Sequence, residues 1–94
     1  MSDHTALSLE KLDALLPLLR ALPASPNRES LIEEGEALRR AVAAFHLEAI
    51  RFRIYNVDRQ IRQSGDDPNL RRSLEELRQA LEAAGFHTRS HVAP

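Results

Sequence analysis

The sequence has no cysteine and no tryptophan, one lysine, three glycines, and only four aromatic side chains among 94 residues. Without cysteine there is no disulfide framework, thiolate zinc site, iron–sulfur cluster or cysteine nucleophile. The glycines are isolated, so no glycine-rich phosphate loop exists. None of the serines sits in a Gly-x-Ser-x-Gly elbow. An excess of charge of one sign is missing too. A formal net charge of -1 excludes a generally basic nucleic-acid binder. Long apolar runs are absent: the richest stretches, 14–19 and 21–24, are interrupted or closed by proline and fall far short of the ~20 residues of a membrane span. No signal peptide is read at the start, so a cytoplasmic location with no membrane partner is expected.

What is present is the composition of one folded domain, 43% hydrophobic and 29% charged. A chain of this size buries only ~60–65% of its unfolded surface, which makes a lone core marginal. Of the thirteen basic residues, only Lys11 is not arginine. A GC-rich bacterial genome accounts for that bias. Arginine forks also suit carboxylate and phosphate partners better than lysine does.

The punctuation predicts an all-α chain of three helices with one long central helix, assembling as a dimeric bundle. Ser8 caps a first helix over 8–22, with Leu9, Leu12, Leu16 and Leu19 on one face and Pro17 expected to kink or split it. Leu15, Leu18 and Leu22 are left over as a surface for a partner protein. Two prolines in 23–27 break the chain, and Ser25 with Pro26 opens a second helix over 26–64. Gly65, Asp66 and Asp67 turn into a third helix over 68–84, whose Leu70, Leu74, Leu77, Leu81 and Ala84 follow coiled-coil spacing. Gly85 and Phe86 read as a Schellman stop. The domain is thus 1–86, with 87–94 expected as a flexible tail.

A helix of about 38 residues is roughly 57 Å long, whereas a globule of this size is only some 30–35 Å across. Either the helix breaks near Gly35 or a second chain covers the overhang, and the second chain is favoured. The helical projection agrees. Leu31, Leu38, Val42, Phe45, Ala49 and Phe52 form one apolar stripe. Ile32, Ala43, Ile50, Ile54, Val57 and Ile61 form another, displaced by roughly 120°. One stripe is expected to pack on the chain's own helices. The other, carried by Ile32, Ile50, Ile54, Val57 and Ile61, is expected to form a homodimer interface.

Between the stripes Arg39, His46, Arg53 and Gln60 recur at heptad spacing, with Glu36 near the first turn. Polar groups flanked by apolar surface are costly to bury unless paired. Three arrangements fit: pairing with Glu75, Glu76 or Glu82 of a neighbouring helix, a groove open to water, or an anion pocket. In the third, Arg39, His46 and Arg53 position a carboxylate or phosphate.

Other chemistry fails on spacing. His87 and His91 lie four apart but beyond a glycine stop, and the Glu-x-x-His pattern of di-iron bundles is missing, so no metal and no cofactor are expected. His46 is followed by Leu47, Ala49 and Ile50 rather than the residues of histidine phosphotransfer or kinase dimerisation helices. Residues 39–62 carry six arginines against Glu48 and Asp58, but scattered around the helix, which disfavours a nucleic-acid-associated regulator. The long helix with Arg28, Arg39, Arg51, Arg53 and Gln79 resembles the small all-helical chorismate mutases, dimers that hold a dicarboxylate with arginines and a glutamine. That resemblance implies an anion-binding enzyme. The chain departs from it in placing the long helix second and in lacking a mid-bundle lysine. The expected function is therefore a non-catalytic homodimeric interaction or adaptor module.

Overall fold

The computed structural model describes residues 3–86. They form four helices, not three: α1 (Asp3–Arg20), α2 (Pro26–Ala43), α3 (Leu47–Gln63) and α4 (Pro68–Ala83). The tail 87–94, with His87 and His91, lies outside the described residues.

Helix α1 begins five residues before Ser8, which is a fully buried side chain inside the helix rather than its cap. Pro17 does not split it. The ring removes one N–H from the ladder, the donor for the Asp13 carbonyl, and both residues lie on the exposed side, where water satisfies that carbonyl. The start of α2 follows its sequence signals. Ser25 accepts a hydrogen bond from the Arg28 N–H at 3.0 Å, and Pro26 takes the first helical position. Asp67 and Pro68 do the same for α4, with the Asn69 N–H bonded to Asp67 at 2.8 Å.

The single long helix over 26–64 is replaced by α2 and α3, and the break falls at residues 44–46, not at Gly35. The Phe45 N–H bonds to the Val42 carbonyl and the His46 N–H to the Ala41 carbonyl, the double bond pattern of a Schellman stop. Phe45 takes the left-handed conformation at φ 57°, a position that usually goes to glycine. His46 then caps α3, its Nδ1 accepting from the Ala49 N–H at 3.3 Å. Gly35 stays inside α2 because a helix crosses there. A Cβ at Gly35 would stand 2.8 Å from Leu16 Cδ2 and 3.1 Å from Leu19 Cδ1.

With the break, a length near 57 Å is no longer needed: the molecule measures 35 × 31 × 20 Å. Helix α1 packs on both α4 and α2, and α2 packs on α3, while α3 and α4 meet only sparingly. Ion pairs follow the same order, joining Lys11 to Glu76, Arg20 to Glu36, Arg39 to Asp13 and Arg53 to Glu34. One core unites Leu12, Leu15, Leu16 and Leu19 with Leu31, Leu38 and Val42, then Ile50, Ile54, Val57 and Ile61, then Leu70, Leu74, Leu77 and Leu81. Each such side chain contributes about 1.5–3 kcal/mol by leaving water. Apart from Ala43, Phe45 and Phe52, which are exposed, both apolar stripes of 26–64 are thus consumed within one chain. Ile50, Ile54, Val57 and Ile61 are at most 1% exposed and Ile32 packs half-buried against the core, so the expected dimer interface is the interior of the monomer. Leu15 is likewise buried rather than free for a partner, Leu22 is half-buried, and Leu18 remains 40% exposed.

At the far end Gly85 and Phe86 form the expected stop, with the Phe86 N–H bonded to the Leu81 carbonyl at 2.9 Å. The Phe86 ring packs against the core and lies 6.1 Å from the Phe45 ring.

Candidate functional site

Arg39, His46 and Arg53 are not brought together. Arg39 belongs to α2 and donates from Nε and Nη2 to Asp13 of α1 at 2.8 and 3.3 Å. This contact holds the Asp13 carboxyl below its ordinary value and raises Arg39 above its own. His46 sits exposed in the α2–α3 turn and is occupied as a helix cap. Arg53 belongs to α3 and donates from Nη1 to both oxygens of Glu34 at 2.7 and 2.9 Å. Heptad register holds only along an unbroken helix, and the turn at 44–46 destroys it.

The pairing that was expected of the two arginines does occur, but with Asp13 and Glu34 in place of Glu75, Glu76 or Glu82, and within one chain. Glu34 is nearly buried, and Asn56 Nδ2 adds donations to its two oxygens at 3.2 and 3.4 Å. The cleft beside this cluster, about 410 Å³, is lined by Glu33, Glu34 and Glu36 against Arg40 and Arg53. Three carboxylates facing two guanidiniums make it a poor anion site. The chorismate-mutase resemblance loses its basis with the long helix, since its arginines are spread over α2 and α3.

A second cleft, about 270 Å³, lies between α3 and α4 and is lined by Asp58, Arg71, Arg72, Leu74, Glu75 and Arg78. Arg71 is taken by Asp66 at 2.7 Å, and that contact raises its pKa. The Nε of Arg78 is buried without a hydrogen-bond partner. Two acids share the cleft with the three arginines.

The most distinctive surface is the outer face of α3. Ile50, Ile54, Val57 and Ile61 turn inward, so Glu48, Phe52, Tyr55, Arg59 and Arg62 occupy a strip roughly 80° wide on the opposite side. All five are exposed. Phe52 is 57% and Tyr55 52% exposed, and with Glu48 and Arg51 they line a shallow depression of about 310 Å³. Phe45, in the turn that precedes α3, is also 50% exposed. The Arg53 guanidinium lies 5.2 Å from the Phe52 ring centroid, so the side chain that pairs with Glu34 also supports this aromatic face.

Sequence reasoning missed this face because Phe45 and Phe52 were grouped with the core stripe of a single helix. The available signal was the 4-3-4 spacing of Glu48, Phe52, Tyr55 and Arg59, on the side away from the isoleucines. No known protein family, curated protein or solved structure matches the chain.

Proposed function

We propose that the chain is a non-catalytic helical interaction module of the cytoplasm, an adaptor that associates as a homodimer through the outer face of α3. The observation that carries this reading is the exposure of Phe52 and Tyr55 side by side in the middle of a helix whose apolar core residues are already fully covered. Exposed aromatics contribute nothing to a core. Grouped on one face and rimmed by charge, they have the composition of an interface centre. The interface is moved from the buried isoleucines to the opposite side of the same helix.

Light scattering coupled to size exclusion, over a hundredfold range of concentration, tests the reading. The apparent mass is expected to rise from the 10.6 kDa chain toward twice that value. Phe52→Ser with Tyr55→Ser is expected to remain monomeric with its helicity intact, because neither ring supports the core. A wild-type chain that stays monomeric throughout defeats self-association. A double variant that still dimerises moves the interface off α3.

A further inference from the structure

The outer face of α3 carries its own complement. Its layers run Glu48, Phe52, Tyr55, Arg59, with an acid toward the N-terminus, two aromatic rings in the middle and a base toward the C-terminus, and Arg62 beyond them is paired with Asp58 of the same helix. Neither Glu48 nor Arg59 forms an ion pair among the described residues. Both charges are therefore exposed and ionically unpaired among the described residues, at equal distances either side of an aromatic centre.

We infer that two copies of the chain pair α3 against α3 in antiparallel orientation, with Phe52 of each opposite Tyr55 of the partner subunit and Glu48 opposite Arg59 of the partner subunit. This register rests on the reading of α3 as the docking face and adds orientation and alignment to it. A two-fold axis between Phe52 and Tyr55 generates both contacts at once. The equal spacing of four residues on either side of the rings places each glutamate level with an arginine. A parallel pair sets Glu48 against Glu48 and Arg59 against Arg59, so the charge pattern opposes it. Antiparallel packing also sets the helix dipoles head to tail. A second copy is the occupant because the pattern is self-complementary under a two-fold axis, the symmetry of the commonest assemblies. One helix face is smaller than the about 1,200 Å² of a specific stable interface, so the pair forms and dissociates with concentration.

Charge reversal tests the register by sedimentation equilibrium at low ionic strength, where exposed pairs are least screened. Glu48→Arg and Arg59→Glu each turn two attractive contacts per dimer into two repulsive ones. Each variant alone is expected to associate at least about tenfold more weakly than wild type. Mixed in equal amounts, they are expected to recover wild-type association as a heterodimer. The double variant E48R/R59E is expected to recover it as a homodimer. Circular dichroism verifies that every variant keeps its helices, since both positions are exposed.

Single variants that associate like wild type, or a mixture that stays monomeric, overturn the register. If Phe52→Ser with Tyr55→Ser abolishes association while charge reversal does nothing, the docking face stands and the antiparallel alignment falls. A wild-type chain that never associates overturns both.

Discussion

Arg53 is gripped from two sides, by the nearly buried carboxylate of Glu34 and by the face of Phe52. Its removal leaves Glu34 with Asn56 as the one remaining donor of the cluster. A buried carboxylate short of partners is costly, but Arg53 itself is 37% exposed, and water entering the gap offsets part of the loss. Arg53→Ala is expected to cost about 1–2 kcal/mol, lowering Tm by roughly 4–8 °C per kcal/mol in a domain of this size. Differential scanning calorimetry measures it directly. Asp13 makes the opposite case, an exposed pair whose strength depends on pH. The hydrogen bond from Arg39 lowers its folded pKa below the unfolded value, so the pair stabilises the fold above the unfolded pKa and loses that effect as pH falls through the folded one. Asp13→Asn is expected to melt below wild type at neutral pH by a few tenths of a kcal/mol. The gap between the two closes as pH falls through the lowered folded pKa of Asp13. Melting curves at neutral and acid pH compare them.

At the scale of the helix, the crossing of α1 and α2 depends on an absent side chain. Gly35→Ala gains up to about 1 kcal/mol in helix propensity but drives a methyl into Leu16 and Leu19, where overpacking costs about 1–3 kcal/mol. A net loss of about 1 kcal/mol is expected, read as a lower urea midpoint at unchanged slope. The same comparison of propensity with packing shows what the sequence made legible. The starts at Ser25 and Asp67, the stop at Gly85 and Phe86, and the leucines of α4 were readable because each uses a residue with a strong local preference. The stop at residues 44–46 was not. Alanine, phenylalanine and histidine carry no helix-breaking signal, and Phe45 is held in its left-handed conformation by the fold around it. The trace of the break lay in the stripes. Leu31, Leu38 and Val42 define the first face, and Ile50, Ile54, Val57 and Ile61 define the second, largely one after the other along the chain. Two faces in succession mean two helices; two faces at the same level mean two partners. The seam of Arg39, His46 and Arg53 failed for the same reason, since its alignment presupposed the unbroken helix.

For the whole molecule, the break means that one chain folds without a second copy covering its core. A chain with a bare apolar stripe requires a partner in order to fold. Here one chain covers every isoleucine of α3 by itself, so the proposed association would be a surface event, separable from folding and tunable without loss of the core. That separation is what an adaptor requires, because binding and release leave the scaffold intact.

The ring pair at the end of the bundle has a mechanical consequence. By packing the helices stand in a row, α4 beside α1, α1 beside α2, α2 beside α3, with only sparse contact between the two outer helices α3 and α4. Phe45 precedes α3 and Phe86 follows α4, and their rings lie against each other. They join the two outer helices at the end away from the turn 64–67, like a clasp on a bracelet. The turn 64–67 already ties the other ends of α3 and α4, so the ring contact and the turn close that side of the bundle at both of its ends.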